Sequence, residues 1–246
     1  MNILSVLRLL RVTLHIFAGM ATCAIVFPWI GSAARNARIR RWSGQLIAMC
    51  GVSVTQAGEP ALAHAMIVAN HVSWLDIFVI NSMLPCRFVA KAEIRAWPLL
   101  GWLADKAGTV FIARGSRRDL RHLFKGLVGS LQQGERVAFF PEGTTAAQGN
   151  LLPFHANLFE AAIDAHVPVQ PYALRYVDAQ GALHLGVDFI GEMSFAESLL
   201  TILSGSHVYA ELICLAPLEA SGAHRRELAA ASQQAVADAL GVLSPS

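Results

Sequence analysis

Residues 12–34 contain no Asp, Glu, Lys or Arg. Wound as a helix, such a run reaches about 35 Å, enough to cross a hydrocarbon core. Any fold for this chain must therefore give the run either lipid or a protein core to lie against. His15 sits near its start. Pro28 and Gly31 weaken its far end, because proline has no N–H to donate and glycine is a poor helix former. Arg8 and Arg11 flank one side, and Arg35, Arg38, Arg40 and Arg41 cluster on the other. The run is longer than the apolar stretch of a signal peptide and no A-x-A site precedes a polar start, so it is expected to be retained. Two arrangements satisfy it. One is a true span with the arginine-rich side in the cytoplasm. The other is a helix pair lying in the interface, with residues 35–51 (RNARIRRWSGQLIAMCG) as the second helix, its basic start and Trp42 suited to anionic headgroups. Both anchor the chain to a membrane with its main domain on the cytoplasmic face.

Composition agrees. Hydrophobic residues make up 54% of the chain and charged residues 15%, against about 25% charged in ordinary soluble domains. The excess apolar surface points to a lipid-facing site. A net charge of +2 is too small for a nucleic-acid partner. Cys23, Cys50, Cys86 and Cys214 show no CxxC spacing, which argues against a zinc site or a disulfide framework. They read as small buried hydrophobes in a reducing compartment.

After Gly58-Glu59-Pro60 the pattern becomes an alternation of short apolar strands and helices. Residues 1–55 are expected to form the membrane-anchoring helices and residues 56–246 a catalytic domain. Strands are expected at residues 65–69, 87–90, 109–113, 137–140 and 207–214. A further strand of edge or irregular type is expected at 167–174, where two prolines stand. Helices are expected at 73–83, 119–133, 154–165 and 223–240. This is an α/β pattern: a mixed, largely parallel sheet covered by helices.

The chemistry centres on Asn70-His71-Val72-Ser73-Trp74-Leu75-Asp76. An apolar strand ends at Asn70, which puts His71 at a strand's carboxyl end, where open α/β sheets place ligands. Asp76, one turn into the following helix, can point back to one imidazole nitrogen. That contact would fix the tautomer and make the other nitrogen a general base. The same residues also match a capping box, S-x-x-[DE], in which Ser73 caps the helix and Asp76 is its N3 partner.

Three further segments carry candidate residues. Residues 108–115 (GTVFIARG) deliver Arg114, which can pair bidentately with a phosphate or stand as a surface arginine. Residues 139–145 (FFPEGTT) end a strand in a turn where Pro141 and Gly143 bracket Glu142. Gly143 permits close backbone approach to a substrate, and Thr144 with neighbouring N–H groups can hold headgroup atoms; an ordinary Pro/Gly turn has the same sequence. Residues 167–171 (VPVQP) can form an acyl-chain wall or an edge strand.

In this order and spacing the four blocks resemble those of the glycerolipid acyltransferase family that includes 1-acylglycerol-3-phosphate acyltransferase. N-H-x4-D is matched by Asn70, His71 and Asp76; the strand ending in arginine by Phe111, Ile112 and Arg114; F-P-E-G-T by Phe140 through Thr144; and the V-P-V-x-P strand by Val167 through Pro171. The resemblance covers roughly residues 60–175 and an N-terminal membrane segment. It implies that His71 deprotonates the hydroxyl of a lysolipid and Asp76 orients it. It implies that Arg114, Glu142, Gly143 and Thr144 meet the acceptor headgroup, with Lys91 adding positive charge. The acyl donor would be acyl-CoA or an acyl carrier protein, with no cofactor and no metal. Backbone N–H groups near Gly143 would receive the oxyanion. Where many members continue as E-G-T-R, this chain has Thr145, which accommodates a less anionic acceptor. The wording HVSWLD and E-G-T-T resembles lyso-ornithine lipid acyltransferases. Two other classes stand beside this one: a serine hydrolase using Ser73 or Ser116, though no G-x-S-x-G elbow is present, and a non-catalytic membrane-binding module.

Overall fold

Strand β2, Met66–Ala69, is buried at all four positions, so it needs protein on both faces and both edges. The computed structural model, which describes residues 3–97, 99–112 and 117–244 (without the side chains of 117–123), puts it inside a seven-stranded sheet. The other strands are β1 (Val52–Gly58), β3 (Arg87–Lys91), β4 (Val110–Ile112), β5 (Val137–Phe139), β6 (Val169–Val177) and β7 (Val208–Cys214), in the order β1-β7-β6-β2-β5-β3-β4. Every neighbouring pair is parallel except β6 with β7. The sheet is thus mixed and largely parallel, as the alternation requires.

Successive residues of β2 point to opposite faces. Ile67 and Ala69 join a core built with α2 (Ser32–Met49), α3 (Leu75–Met83) and α7 (Phe195–Ser204). Met66 and Val68 join a second core with α5 (Arg117–Gln132), α6 (Glu160–Ala165) and α8 (Arg225–Leu240). One short helix, α4 (Leu100–Lys106), stands apart from both cores, between β3 and β4.

The proline-rich segment departs from the edge strand expected of it. It is β6, paired to β2 on one side and β7 on the other. Pro171 is tolerated because its missing N–H falls where β7 has already ended. The ladder resumes only through Leu215 N–H to Pro171 O at 2.9 Å and the Val169–Leu218 bridge. Strand β1, which the sequence pattern did not announce, pairs with β7 and straddles the expected division at residue 55.

The N-terminal apolar run forms α1 (Ile3–Ala21), a π-helical turn (Thr22–Val26) and a 3-10 turn at Phe27–Trp29. The helical run ends at Ile30, where the backbone turns extended two residues past Pro28, and α2 follows. By length and composition alone the stretch Ile3–Trp29 is long and apolar enough to cross a membrane. Its residues Ser5, Val12 and Gly19, spaced by sevens, are nevertheless buried against the rest of the chain. Val12 belongs to the main core cluster, and Arg8 donates to Leu203 O at 3.1 Å. Gly19 lets α1 and α2 meet: a Cβ there would lie 2.5 Å from Trp42 Nε1. His15 and Trp42 stack at 4.8 Å, each side chain bonding the other's backbone oxygen. The opposite face of α1 leaves Leu4, Leu7, Leu10, Leu14 and Phe17 exposed.

Candidate active site

Asn70 ends β2 by continuing its ladder with a side chain. Its amide donates to Leu174 O and accepts from Leu174 N–H, both at 2.8 Å. His71 therefore leaves the sheet from a fixed point, with its own carbonyl held by Ala146 N–H at 2.8 Å. Its Nδ1 lies 2.7 Å from Asp76 Oδ2. A ring nitrogen facing a carboxylate carries the proton, which leaves Nε2 as the basic nitrogen.

Asp76 is fully buried, and four donors hold it. Besides His71, Oδ2 accepts from Val72 N–H at 2.7 Å and Ser73 N–H at 2.9 Å, and Oδ1 accepts from Tyr176 O–H at 2.6 Å. Burial, and then the Asp76 charge, push the Tyr176 phenol well above its ordinary value, so it remains a donor. The capping-box reading is half met. Asp76 reaches back to Ser73 N–H, but the Ser73 hydroxyl is buried without a partner and caps nothing. The helix instead begins after Trp74, with no side-chain cap.

Phe140 stacks on the His71 ring, centroids 3.9 Å apart and planes within 5°. Behind it, Glu142 accepts from His71 N–H at 2.7 Å and from Leu152 N–H at 2.8 Å, one bond per oxygen. It is 4% exposed, and burial raises its carboxyl to about 7 against the opposing pull of those two N–H bonds. The glutamate expected at the headgroup thus points into protein and clamps the His71 backbone. Gly143, at φ 69°, closes the turn with its N–H on Phe140 O at 3.1 Å, so that N–H is not free for an oxyanion. The N–H groups of Thr144 and Thr145 have no acceptor among the described residues. Thr145 donates its hydroxyl to Phe189 O.

His71, Lys91, Gly143 and Thr144 all line one cavity of about 590 Å³. The cavity extends to the Cys23, Phe27 and Leu103 cluster, so the N-terminal helices build part of its wall. Arg114 and Ser116 lie outside the described residues.

The family model described as Acyltransferase matches residues 53–175, which include His71, Asp76, Phe140 and Glu142. The chain belongs to the acyltransferase family. A lyso-ornithine lipid O-acyltransferase of Pseudomonas aeruginosa is 40% identical over 212 residues, 86% of this chain and 81% of the relative. A 1-acyl-sn-glycerol-3-phosphate acyltransferase of Neisseria gonorrhoeae is 42% identical over 178 residues, 71% of this chain and 69% of the relative. The crystal structure of the acyltransferase PlsC from Thermotoga maritima shares the fold, with a TM-score of 0.66 at 21% identity and 96% of each chain covered.

In this acyltransferase Tyr176 and Gln148 fall outside the motif blocks that the sequence displays, and Phe140 stands in one of them with no role assigned to it. Gln148 ties three segments together, bonding Tyr176 N–H at 2.7 Å, His184 O at 3.1 Å and, through its own N–H, Asp188 Oδ2 at 3.3 Å. Phe140 carried a visible signal as an aromatic at the exit of a strand beside a functional turn. Tyr176 carried none, since it lies 100 residues from its partner.

Proposed function

We propose that this acyltransferase moves a fatty acyl chain from acyl-CoA or an acyl carrier protein to the free hydroxyl of 1-acylglycerol-3-phosphate, giving phosphatidate. The observation that carries the mechanism is the His71 Nδ1 to Asp76 contact of 2.7 Å beside an apolar cavity. His71 Nε2 takes the proton of the acceptor hydroxyl while its oxygen attacks the thioester carbonyl. Thr144 and Thr145 N–H groups, unpaired on the protein side, are the candidate donors to the oxyanion. Collapse breaks the carbon–sulfur bond, and the imidazolium returns its proton to the leaving thiolate. A positioned base of this kind contributes on the order of 10²–10⁴-fold. Lys91 and Arg38, both exposed at the cavity wall, supply positive charge toward the headgroup. Glu142 acts through His71, fixing its backbone.

A serine nucleophile at Ser73 does not fit, because its hydroxyl is fully buried. A second acceptor does have an observation in its favour. The Pseudomonas relative is a lyso-ornithine lipid O-acyltransferase by name, and Thr145 stands where the family resemblance implies arginine. Offering lysophosphatidate and lyso-ornithine lipid side by side with one acyl donor decides between them. Transfer to neither, or equal transfer by His71→Ala, would overturn the mechanism.

The packed inner stripe of α1 and its exposed apolar outer face favour a helix lying in the interface over one crossing it. We propose the cytoplasmic side for the catalytic domain, its cavity close to lipid.

A further inference from the structure

Helix α4 divides its apolar residues between two sides. Leu100 and Leu103 line the cavity, and Leu103 packs in one cluster with Cys23 and Phe27 from the end of the N-terminal helical run. Leu99 and Trp102 face outward, 44% and 37% exposed. Leu99 sits at φ 62°, a backbone that an L side chain rarely adopts. Gly101 is seated so closely on the Ile94–Arg95 backbone that a Cβ would lie 2.3 Å from Arg95 O, which pins the helix face. Lys106 places its ammonium 5.9 Å from the Trp102 ring centroid, over its face. A tryptophan with a cation beside it is the side-chain pair favoured at the boundary between acyl chains and headgroups.

We infer that α4 is a second lipid-contacting element, with Leu99 and Trp102 inserted in the membrane surface beside α1 while Leu100 and Leu103 form the cavity wall behind them. The occupant is a lipid surface because α4 packs, through Leu103 on Cys23 and Phe27, against the end of the N-terminal helical run, where Ile25 and Trp29 are themselves exposed. This rests on the interfacial reading of α1 given above. The consequence is a wall one helix thick between bilayer and cavity, so that an acyl chain passes from lipid to His71 without crossing water.

The test uses the full chain, vesicles of phosphatidylethanolamine and phosphatidylglycerol, and two double variants. One joins Leu99→Asp to Trp102→Asp; the other joins Leu7→Glu to Leu14→Glu. The α4 variant is expected to bind vesicles at least ~10-fold more weakly and to lose vesicle turnover in proportion. Its turnover of substrates dispersed in detergent micelles should match wild type. If the α1 variant is released but the α4 variant binds and turns over as wild type, the α4 inference is overturned alone. If neither is released, the interfacial reading falls with it. Should the α4 variant lose its melting transition, brominated lipid decides: in a Trp29→Phe background, Trp102→Phe should abolish a share of the tryptophan quenching. Unchanged quenching overturns the inference.

Discussion

Tyr176 donates its phenolic hydrogen to Asp76 Oδ1 at 2.6 Å, on the oxygen opposite the one that holds His71. The two residues come from β6 and from the start of α3, so the imidazole's orientation depends on the sheet. Removing this hydroxyl leaves a buried carboxylate oxygen unpaired, with only the three bonds to the other oxygen to hold the group. Tyr176→Phe is therefore expected to lower kcat by ~10-fold or more with little change in KM, as outer partners of a positioned histidine commonly do. Steady-state kinetics on micellar substrate check it.

Asp76→Asn offers one acceptor oxygen where four donors converge, and its NH2 opposes one of them. A loss on the order of 10³-fold or more in turnover is expected, by analogy with other histidines whose carboxylate is replaced by an amide. Vesicle binding should stay at the wild-type level, and a sedimentation assay separates the two effects.

Glu142 gives a pH dependence of known sign. Its folded carboxyl stands at about 7, above the unfolded value of 4.5. The native state thus binds the extra proton between those values. This group's stabilisation is full below pH 4.5 and is lost as pH rises through about 7. Glu142→Gln should remove that component, flattening the fall of melting temperature across the window. It should also weaken one of the two backbone clamps, lowering turnover severalfold.

Asn70→Ala would leave both Leu174 backbone groups unpaired in a buried sheet. We expect about 3 kcal/mol of destabilisation, read as a drop of about 6–12 °C in melting temperature. Recovery of wild-type stability in this variant would show that the two bonds contribute little.

Gly19→Leu would drive a side chain into Trp42, whose Nε1 is 2.5 Å from the nearest added atom. The stack of Trp42 on His15 should break and α1 lift from α2. Faster cleavage by protease within residues 1–31, with loss of vesicle turnover, is the expected result.

Much of this was legible in the chain. The alternation of four-residue apolar runs with helical stretches gave the largely parallel sheet, because buried strands and covering helices need those patterns. His71 and Asp76 were legible because five residues of local chain bring them together. Glu142 was legible as a candidate site residue but its direction was not: whether a carboxylate faces a pocket or a neighbouring backbone depends on what packs behind it. Strand β1 escapes because its burial pattern is mostly exposed, and β6 reads as an edge or irregular strand because a proline's missing N–H can be placed only once its neighbours are known.

The sequence by itself determined the strand-end placement of His71 with Asp76 close by, and the apolar run that needs lipid or protein beside it. Both follow from local periodicity and short spacing. Only the tertiary structure decided that Tyr176 completes the Asp76 shell, that Phe140 and Glu142 fix His71 from two sides, and that α1 lies along the domain with α4 beside its end. Those depend on residues distant in the chain meeting across one sheet, which periodicity does not encode.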